Sequence, residues 1–148
     1  MCRKYKVARA LAALSSVLLF GNPTQAANVV INEIYGGRGN AGAAYQNDFV
    51  ELYNNSANAI DLSTYSLQYT SATGPRTGNS WITLNLSGSI GAALPTENIE
   101  SGAIIFNLVA TAGKLALVSS KSPLKMTNPK SDPSVVDFVG YGISANAI

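Results

Sequence analysis

The chain has 148 residues, a formal net charge of +2, one cysteine and no histidine. The lack of histidine excludes Ser-His-Asp triads, histidine general bases and histidine metal ligands. The single cysteine, Cys2, excludes an intramolecular disulfide framework.

The first 26 residues have the pattern of a secretory signal peptide. Four basic residues lie in MCRKYKVAR, the apolar run ALAALSSVLLF spans residues 10–20, and Thr24 and Ala26 suit cleavage after Ala26. The apolar run is well short of the roughly 20 residues that span a bilayer. We therefore predict a signal peptide at 1–26, a single exported domain at 27–148 without a membrane span, and a secreted, extracellular or cell-surface location.

Removal of residues 1–26 also changes the charge of the protein. Four of the ten basic residues leave with the signal peptide, so six basic and eight acidic residues remain, a net charge of −2. The basic character of the whole chain is therefore no indication of nucleic-acid binding.

Seven segments of the mature chain have the short apolar or period-2 patterns typical of β-strands, and none has a helical period. They lie at residues 28–35, 48–53, 65–70, 81–86, 103–109, 114–120 and 134–141. In YSLQYT, for example, Tyr65, Leu67 and Tyr69 share one face. Loops rich in Gly, Pro, Asn and Ser separate the segments, which predicts an all-β antiparallel sandwich or barrel.

A glycine motif follows the first predicted strand. Gly37, Gly39 and Gly42 match G-x-G-x-x-G, the turn that holds the pyrophosphate of dinucleotide cofactors at the start of a helix. The short stretch between Gly42 and the next strand cannot form the crossover helix that such a site needs. We predict that these glycines instead allow positive φ angles in a long hairpin loop, and that no cofactor binds.

Three carboxylates lie on the first two predicted strands. Glu33, Asp48 and Glu51 could together bind a divalent cation, which would also allow a cation-dependent enzyme. They could equally lie on a solvated face and at strand ends, with Asp48 bonded to loop backbone. The absence of an EF-hand spacing favours the second interpretation, and we predict no metal site.

A group of lysines forms the second charged feature. Residues 114–130 contain Lys114, Lys121, Lys125 and Lys130 and no acidic residue. Such a patch can contact phosphates, but it contains no arginine and no aromatic residue on which a base could stack. A solvated loop is the alternative that we favour, with at most weak, sequence-independent binding of nucleic acid.

An ordered series of motifs resembles the lamin tail domain, and most closely its bacterial form at the front of secreted nucleases and other exported surface proteins. The motifs are NEI at 32–34, DFVELYN at 48–54, IDLSTYSLQY at 60–69, ATAGKLALV at 110–118 and VVDFVGYG at 135–142. The resemblance implies an immunoglobulin-like β-sandwich with a binding or tethering role and no catalytic residues. The residues expected in its core are Phe49, Leu52, Ile60, Leu62, Tyr65, Leu67, Leu115, Leu117, Val136 and Phe138.

The sequence departs from the family pattern at two places. The glycine-led aromatic strand and loop expected between Ile90 and Ala93 are missing, and the chain ends before the expected closing segment. We therefore expect a sandwich that lacks an internal strand and the C-terminal closing segment.

Two functions are consistent with these observations. The first is a secreted, non-catalytic module that binds or tethers an extracellular or cell-surface protein or polymer. The alternative is a detached N-terminal accessory domain of an extracellular endonuclease or exonuclease whose catalytic domain is absent from this chain.

Overall fold

The computed structural model describes residues 28–75, 79–92 and 107–147, and this part of the chain consists of antiparallel strands joined by loops. Its strands are β1 (Val29–Tyr35), β2 (Phe49–Asn54), β3 (Ile60–Asp61), β4 (Ser66–Ser71), β5 (Ile82–Asn85), β6 (Ser89–Ile90), β7 (Gly113–Val118) and β8 (Val135–Tyr141). Within the same ranges, a 3₁₀ turn at Pro129–Ser131 is the one helical element.

The described strands form three antiparallel sheets. One has four strands in the order β5-β4-β7-β8, and the others are the hairpin β1–β2 and the short pair β3–β6. In the centre of the four-stranded sheet, Leu67 lies opposite both Leu84 and Leu117. β1 approaches β8, where the N–H of Ile31 donates to Asp137 Oδ2 at 2.7 Å. The predicted all-β antiparallel sandwich is thereby confirmed.

The hydrophobic pattern located six of the described strands to within two residues of their ends. The predicted strand 103–109 lies mostly outside the described residues, and its described part, 107–109, is not in a strand. β3 and β6 were not predicted, because two residues are too short to show a period.

The main core lies between the inner side of the hairpin and one face of the four-stranded sheet. Its buried members are Val29, Val50, Leu52, Leu62, Leu67, Tyr69, Leu86, Ile90, Leu108, Leu115 and Leu117. Ile60, Tyr65 and Val136 are partly buried against this core, so eight of the ten predicted core residues belong to it.

The other two of the ten predicted core residues, Phe49 and Phe138, lie outside the main core. Phe138 is partly buried against a second, smaller apolar cluster on the other side of the sheet. The prediction that Phe49 is a core residue was wrong: its side chain is half-buried on the outer side of the hairpin, because Val50, the next residue, takes the inward position.

β4 and β7 are buried on both faces, although an alternating pattern predicts strands that are buried on one face. Residues 120–127, here called the covering segment, lie over the second face of the sheet. The buried residues of the second cluster are Trp81, Ala116, Val118 and, from the covering segment, Leu124. The covering segment therefore buries the second face of strands whose sequence pattern predicts burial on one face only.

Two predictions concern residues that the structure does not describe. The signal peptide at 1–26 lies outside the described ranges, and the description of the chain also stops after residue 92, within the stretch between Ile90 and Ala93 where an internal strand is expected to be missing. Both stay predictions. In the ranges that are described, no helix is long and apolar enough to cross a membrane.

Candidate functional site

The glycine-rich segment is the loop of the β1–β2 hairpin. Gly39 and Gly42 have φ angles of +76° and +80°, a left-handed conformation that residues with a Cβ atom rarely adopt. The loop is closed by backbone bonds from Asn40 N to Gly37 O and from Ala43 N to Asn40 O. The prediction of a hairpin loop with positive φ angles is confirmed at Gly39 and Gly42, whereas it is wrong at Gly37, whose φ is not positive.

Asp48, at the end of this loop, has a structural role. Its side chain is 3% exposed, Oδ1 accepts the N–H of Arg38 at 3.0 Å, and Oδ2 accepts the N–H of Leu108 at 2.8 Å. A buried carboxylate is stable only where hydrogen bonds replace its hydration. Asp48 therefore joins the hairpin loop to the start of the chain segment 107–110, in agreement with the predicted bonding to loop backbone.

Two tyrosines hold the same segment from the sheet. Tyr69 Oη accepts the N–H of Val109 at 3.2 Å, and Tyr141 Oη donates to the carbonyl oxygen of Val109 at 2.9 Å. Burial, together with the neighbouring Tyr69, raises the pKa of Tyr141 above its ordinary value. The hydroxyl thus keeps the proton that it donates, and both rings act as parts of the framework.

Glu33 and Glu51 are brought together, but without Asp48. They are direct cross-strand partners in the hairpin, and Glu51 Oε1 accepts a hydrogen bond from Asn32 Nδ2 at 2.5 Å. Asp48 is turned toward backbone donors elsewhere. Among the residues that the structure describes, no group of three His, Cys, Asp or Glu side chains is placed to hold a metal ion.

Lys114 has to be removed from the predicted lysine patch. Its side chain has no exposed surface, and Nζ donates to the carbonyl oxygens of Gly74 and Thr127 and to Asn146 Oδ1. The same atom lies 5.8 Å from the centre of the Trp81 ring, within range of a cation–π contact. Burial lowers the pKa of Lys114 below its ordinary value. Because Lys114 points to the covered face of the sheet, it cannot reach a phosphate.

Lys121, Lys125 and Lys130 are exposed. Lys121 and Lys125 lie on the covering segment, and Lys130 lies in the 3₁₀ turn. These three residues are what the structure leaves of the predicted patch.

The covering segment is held to the sheet by hydrogen bonds from buried side chains to its backbone. Gln68 is central: Nε2 donates to Ser122 O at 3.0 Å, and Oε1 accepts the N–H of Leu124 at 2.8 Å. Ser66 Oγ donates to Ser120 O, and Trp81 Nε1 donates to Met126 O at 3.0 Å. In the described part of the chain, no buried side-chain nitrogen or oxygen lacks a partner.

On the outer side of the β1–β2 hairpin, by contrast, a cluster of aromatic side chains is partly exposed. Tyr35 stacks on Phe49 with ring centres 5.3 Å apart, and Tyr45 of the loop meets both rings edge-on at 5.1 Å. Tyr45 remains 56% exposed. Together with Glu33, Glu51 and Tyr53 these three aromatic residues form what we call the outer hairpin face.

The alternation of residues in β2 is a sequence signal for this face. The alternation in FVELY places Phe49, Glu51 and Tyr53 on one side of β2 and Val50 and Leu52 on the other. The register places Phe49 beside Glu33 and Glu51 on the outer side of the hairpin. The sequence-based predictions instead treated Phe49 as a core residue and the two glutamates as candidates for a cation site.

A model of the lamin tail domain family matches residues 22–142. Comparison with curated proteins and with solved structures gave no match.

Proposed function

The chain belongs to the lamin tail domain family, and from this premise we propose that it is an exported, non-catalytic module that binds or tethers a partner outside the cell. Membership in this immunoglobulin-like family is the observation that carries the proposal, because the family match extends over most of the chain. The non-catalytic part of the proposal is also supported by the hydrogen bonds of four polar residues. Asp48, Tyr69, Lys114 and Tyr141 are bonded within the framework of the domain.

Export is proposed from the basic head, the apolar run and the small residues before Ala27. Expression of the full chain in a secreting host, followed by N-terminal sequencing of the product in the medium, tests it. We expect a chain that begins at Ala27. A product that stays in the cells with residues 1–26 attached would contradict export.

The lack of catalytic activity can be tested on the same exported product. Assays for nuclease and phosphatase turnover with Mg²⁺, Mn²⁺ and Ca²⁺ should give no rate above background. Metal-dependent turnover that is lost in Glu51→Ala would overturn the proposal in favour of a cation-dependent enzyme.

Binding is tested by immobilising the exported chain and passing the source's own exported fraction over it. The proposal expects a protein or polymer that is retained by the wild type and released by soluble wild-type chain. If nothing is retained and released in this way, the binding function fails.

A second function, an accessory role beside an extracellular nuclease, is supported by three exposed lysines, Lys121, Lys125 and Lys130. Three phosphate contacts give weak, sequence-independent DNA affinity that is mostly lost near 0.15 M salt. A fluorescence titration with DNA should show no residual binding in the variant in which Lys121, Lys125 and Lys130 are all replaced by Gln. Submicromolar, sequence-selective binding at physiological salt would contradict this description, whereas an in-frame nuclease-like region in the downstream DNA would support the accessory role.

A further inference from the structure

The outer hairpin face combines two features that the fold does not require. Glu33 and Glu51 are direct cross-strand partners, and like charges in such positions destabilise a sheet. On one side of this pair lies Tyr53, and on the other lie Tyr35 and Phe49, which are themselves partners in the register. The pair of carboxylates is thus bordered by aromatic rings along the strand direction.

The contrast with Asp48 shows why the pair is unusual. Asp48 accepts two backbone N–H groups and joins two segments of the chain, so its negative charge has a structural use. Glu33 is exposed, and Glu51 accepts a hydrogen bond from the side chain of Asn32 in the bulge beside it. Repulsion between the two carboxylates would be relieved by a cation placed between them.

From this arrangement we propose that the outer hairpin face binds an extended segment of another protein that carries a lysine or arginine between two apolar residues. The inference rests on the proposed binding function and names the chemical class of its partner. The cation lies between Glu33 and Glu51, and the apolar residues lie over Tyr53 and over the ring pair of Tyr35 and Phe49.

The spacing along β2 supports an extended ligand. Phe49, Glu51 and Tyr53 occupy alternate positions, so neighbouring rows are roughly 6–7 Å apart. Alternate residues of an extended peptide have the same spacing, which lets three of its side chains meet three rows of the face. The exposed ring of Tyr45, at the end of the strip, adds apolar surface beside Tyr35 and Phe49 for the ligand's apolar residue.

The charge distribution favours a cationic ligand as well. In sequence, residues 27–113 contain six acidic and two basic residues, a net charge of −4. One of the two basic residues, Arg38, donates from Nη1 to Asn107 Oδ1 at 2.9 Å. A segment that carries positive charge is therefore steered toward this part of the domain, and more strongly at low salt.

The test is a titration of the exported chain with a fluorescently labelled peptide of sequence Thr-Leu-Thr-Arg-Thr-Leu-Thr, followed by anisotropy at low and physiological salt. The same peptide with Glu in place of Arg is the negative probe. We expect saturable binding of the first peptide and none of the second. Equal binding of both, or of neither, would overturn the proposal.

A matched pair of variants separates local from overall charge. Glu33→Gln with Glu51→Gln removes two charges from the face, and should weaken peptide binding about fivefold to thirtyfold, as expected for two exposed ion pairs. Asp61→Asn with Asp132→Asn removes two charges elsewhere and retains one side-chain oxygen at each position for the backbone N–H of Ser63 and of Ser134. This control should change affinity less than twofold; an equal loss in both double variants would contradict a site on the hairpin.

The aromatic contribution is tested at Tyr45, whose exposed ring can be changed without opening the core. Tyr45→Phe keeps the apolar ring and should bind as the wild type does. Tyr45→Ser removes the ring and should lose about twofold to fivefold in affinity. Unchanged binding in Tyr45→Ser would exclude contact of the peptide with this ring.

Two other occupants of the face give different results. A second copy of the chain would give salt-sensitive self-association in sedimentation that is lost in the Glu33→Gln, Glu51→Gln variant, and this would overturn binding to another protein. A neutral glycan would be retained by that variant as by the wild type. Partner capture from the exported fraction that is unaffected by the variant would leave the proposed binding function intact and refute this surface.

Discussion

Two sheet faces of this domain carry polar and charged side chains, and they differ in what lies against them. The second face of the four-stranded sheet presents Ser66, Gln68 and Lys114, all without exposed surface, to the covering segment. The outer hairpin face presents Glu33, Glu51 and aromatic rings to the surface of the domain.

The difference shows that polar residues at alternate strand positions do not by themselves mean solvent. On the sheet, the backbone of residues 120–127 supplies acceptors for the donors of the strands, so the polar groups help to close the domain. On the hairpin, Glu33 is exposed, and its cross-strand partner Glu51 accepts a hydrogen bond from Asn32 Nδ2 beside it. The first face is thus expected to matter for stability, and the second for recognition.

The largest effect is expected in the main core that both faces surround. Leu67→Ala should lower the free energy of unfolding by about 2–5 kcal/mol, because the leucine side chain is completely buried between β5 and β7 and its loss leaves a cavity. Chemical denaturation of the purified protein measures it. Leu67→Met, which conserves volume, should lose less than about 1.5 kcal/mol. Parent-like stability of the alanine variant would remove Leu67 from the core.

Lys114→Met tests the closed polar face. The variant keeps the apolar stem but leaves two carbonyl oxygens and Asn146 Oδ1 without their shared donor, so a loss of about 1–3 kcal/mol is expected. The exposed Lys121→Met is the matched control and should stay within about 0.5 kcal/mol of the parent. Thermal and urea unfolding give both values, and equal losses in the two variants would show that burial of Lys114 has no special role.

Phe49→Ala should have a smaller effect than a core substitution. The ring is half-buried, so about 1–2 kcal/mol should be lost through its contacts with Tyr35 and Tyr45, compared with about 3–5 kcal/mol for a fully buried phenylalanine. Circular dichroism melts can distinguish the two ranges. A loss at the upper range would place Phe49 in the core after all.

The smallest predicted change has the opposite sign. Glu33→Gln removes the repulsion between cross-strand carboxylates and should raise the free energy of unfolding by about 0.2–1 kcal/mol. Asp61→Asn, a control for the loss of one negative charge, should leave it unchanged or slightly lower. Destabilisation by Glu33→Gln, measured by the same unfolding experiments, would mean that the fold uses this charge.

The strands could be predicted because apolar residues at alternate positions must share a buried face. β4 and β5 were predicted on that basis, and β1, β2, β7 and β8 from similar short apolar runs. What could not be predicted is which segment covers the second face of β4 and β7, since the partners of Gln68 and Lys114 in that segment are backbone N–H and C=O groups, which carry no sequence signal. Lys114 therefore looked like the first member of a surface patch.

The candidate site was predicted in pieces. Asp48 was correctly expected to bond loop backbone, because a carboxylate at a strand end often does so. The pairing of Glu33 with Glu51 depends on a shift of register between Ile31 and Glu33. Such a bulge reverses which residues face outward beyond it, and a single sequence does not show where it occurs.

The comparison between the two faces is tested most directly by NMR. Backbone amide shifts of the purified ¹⁵N-labelled chain would be recorded during titration with the Arg-containing peptide. We expect changes concentrated at residues 30–35, 45 and 49–53, with residues 120–127 unmoved. Changes concentrated in the covering segment, or no changes in the hairpin at saturating peptide, would contradict the assignment of recognition to the outer hairpin face.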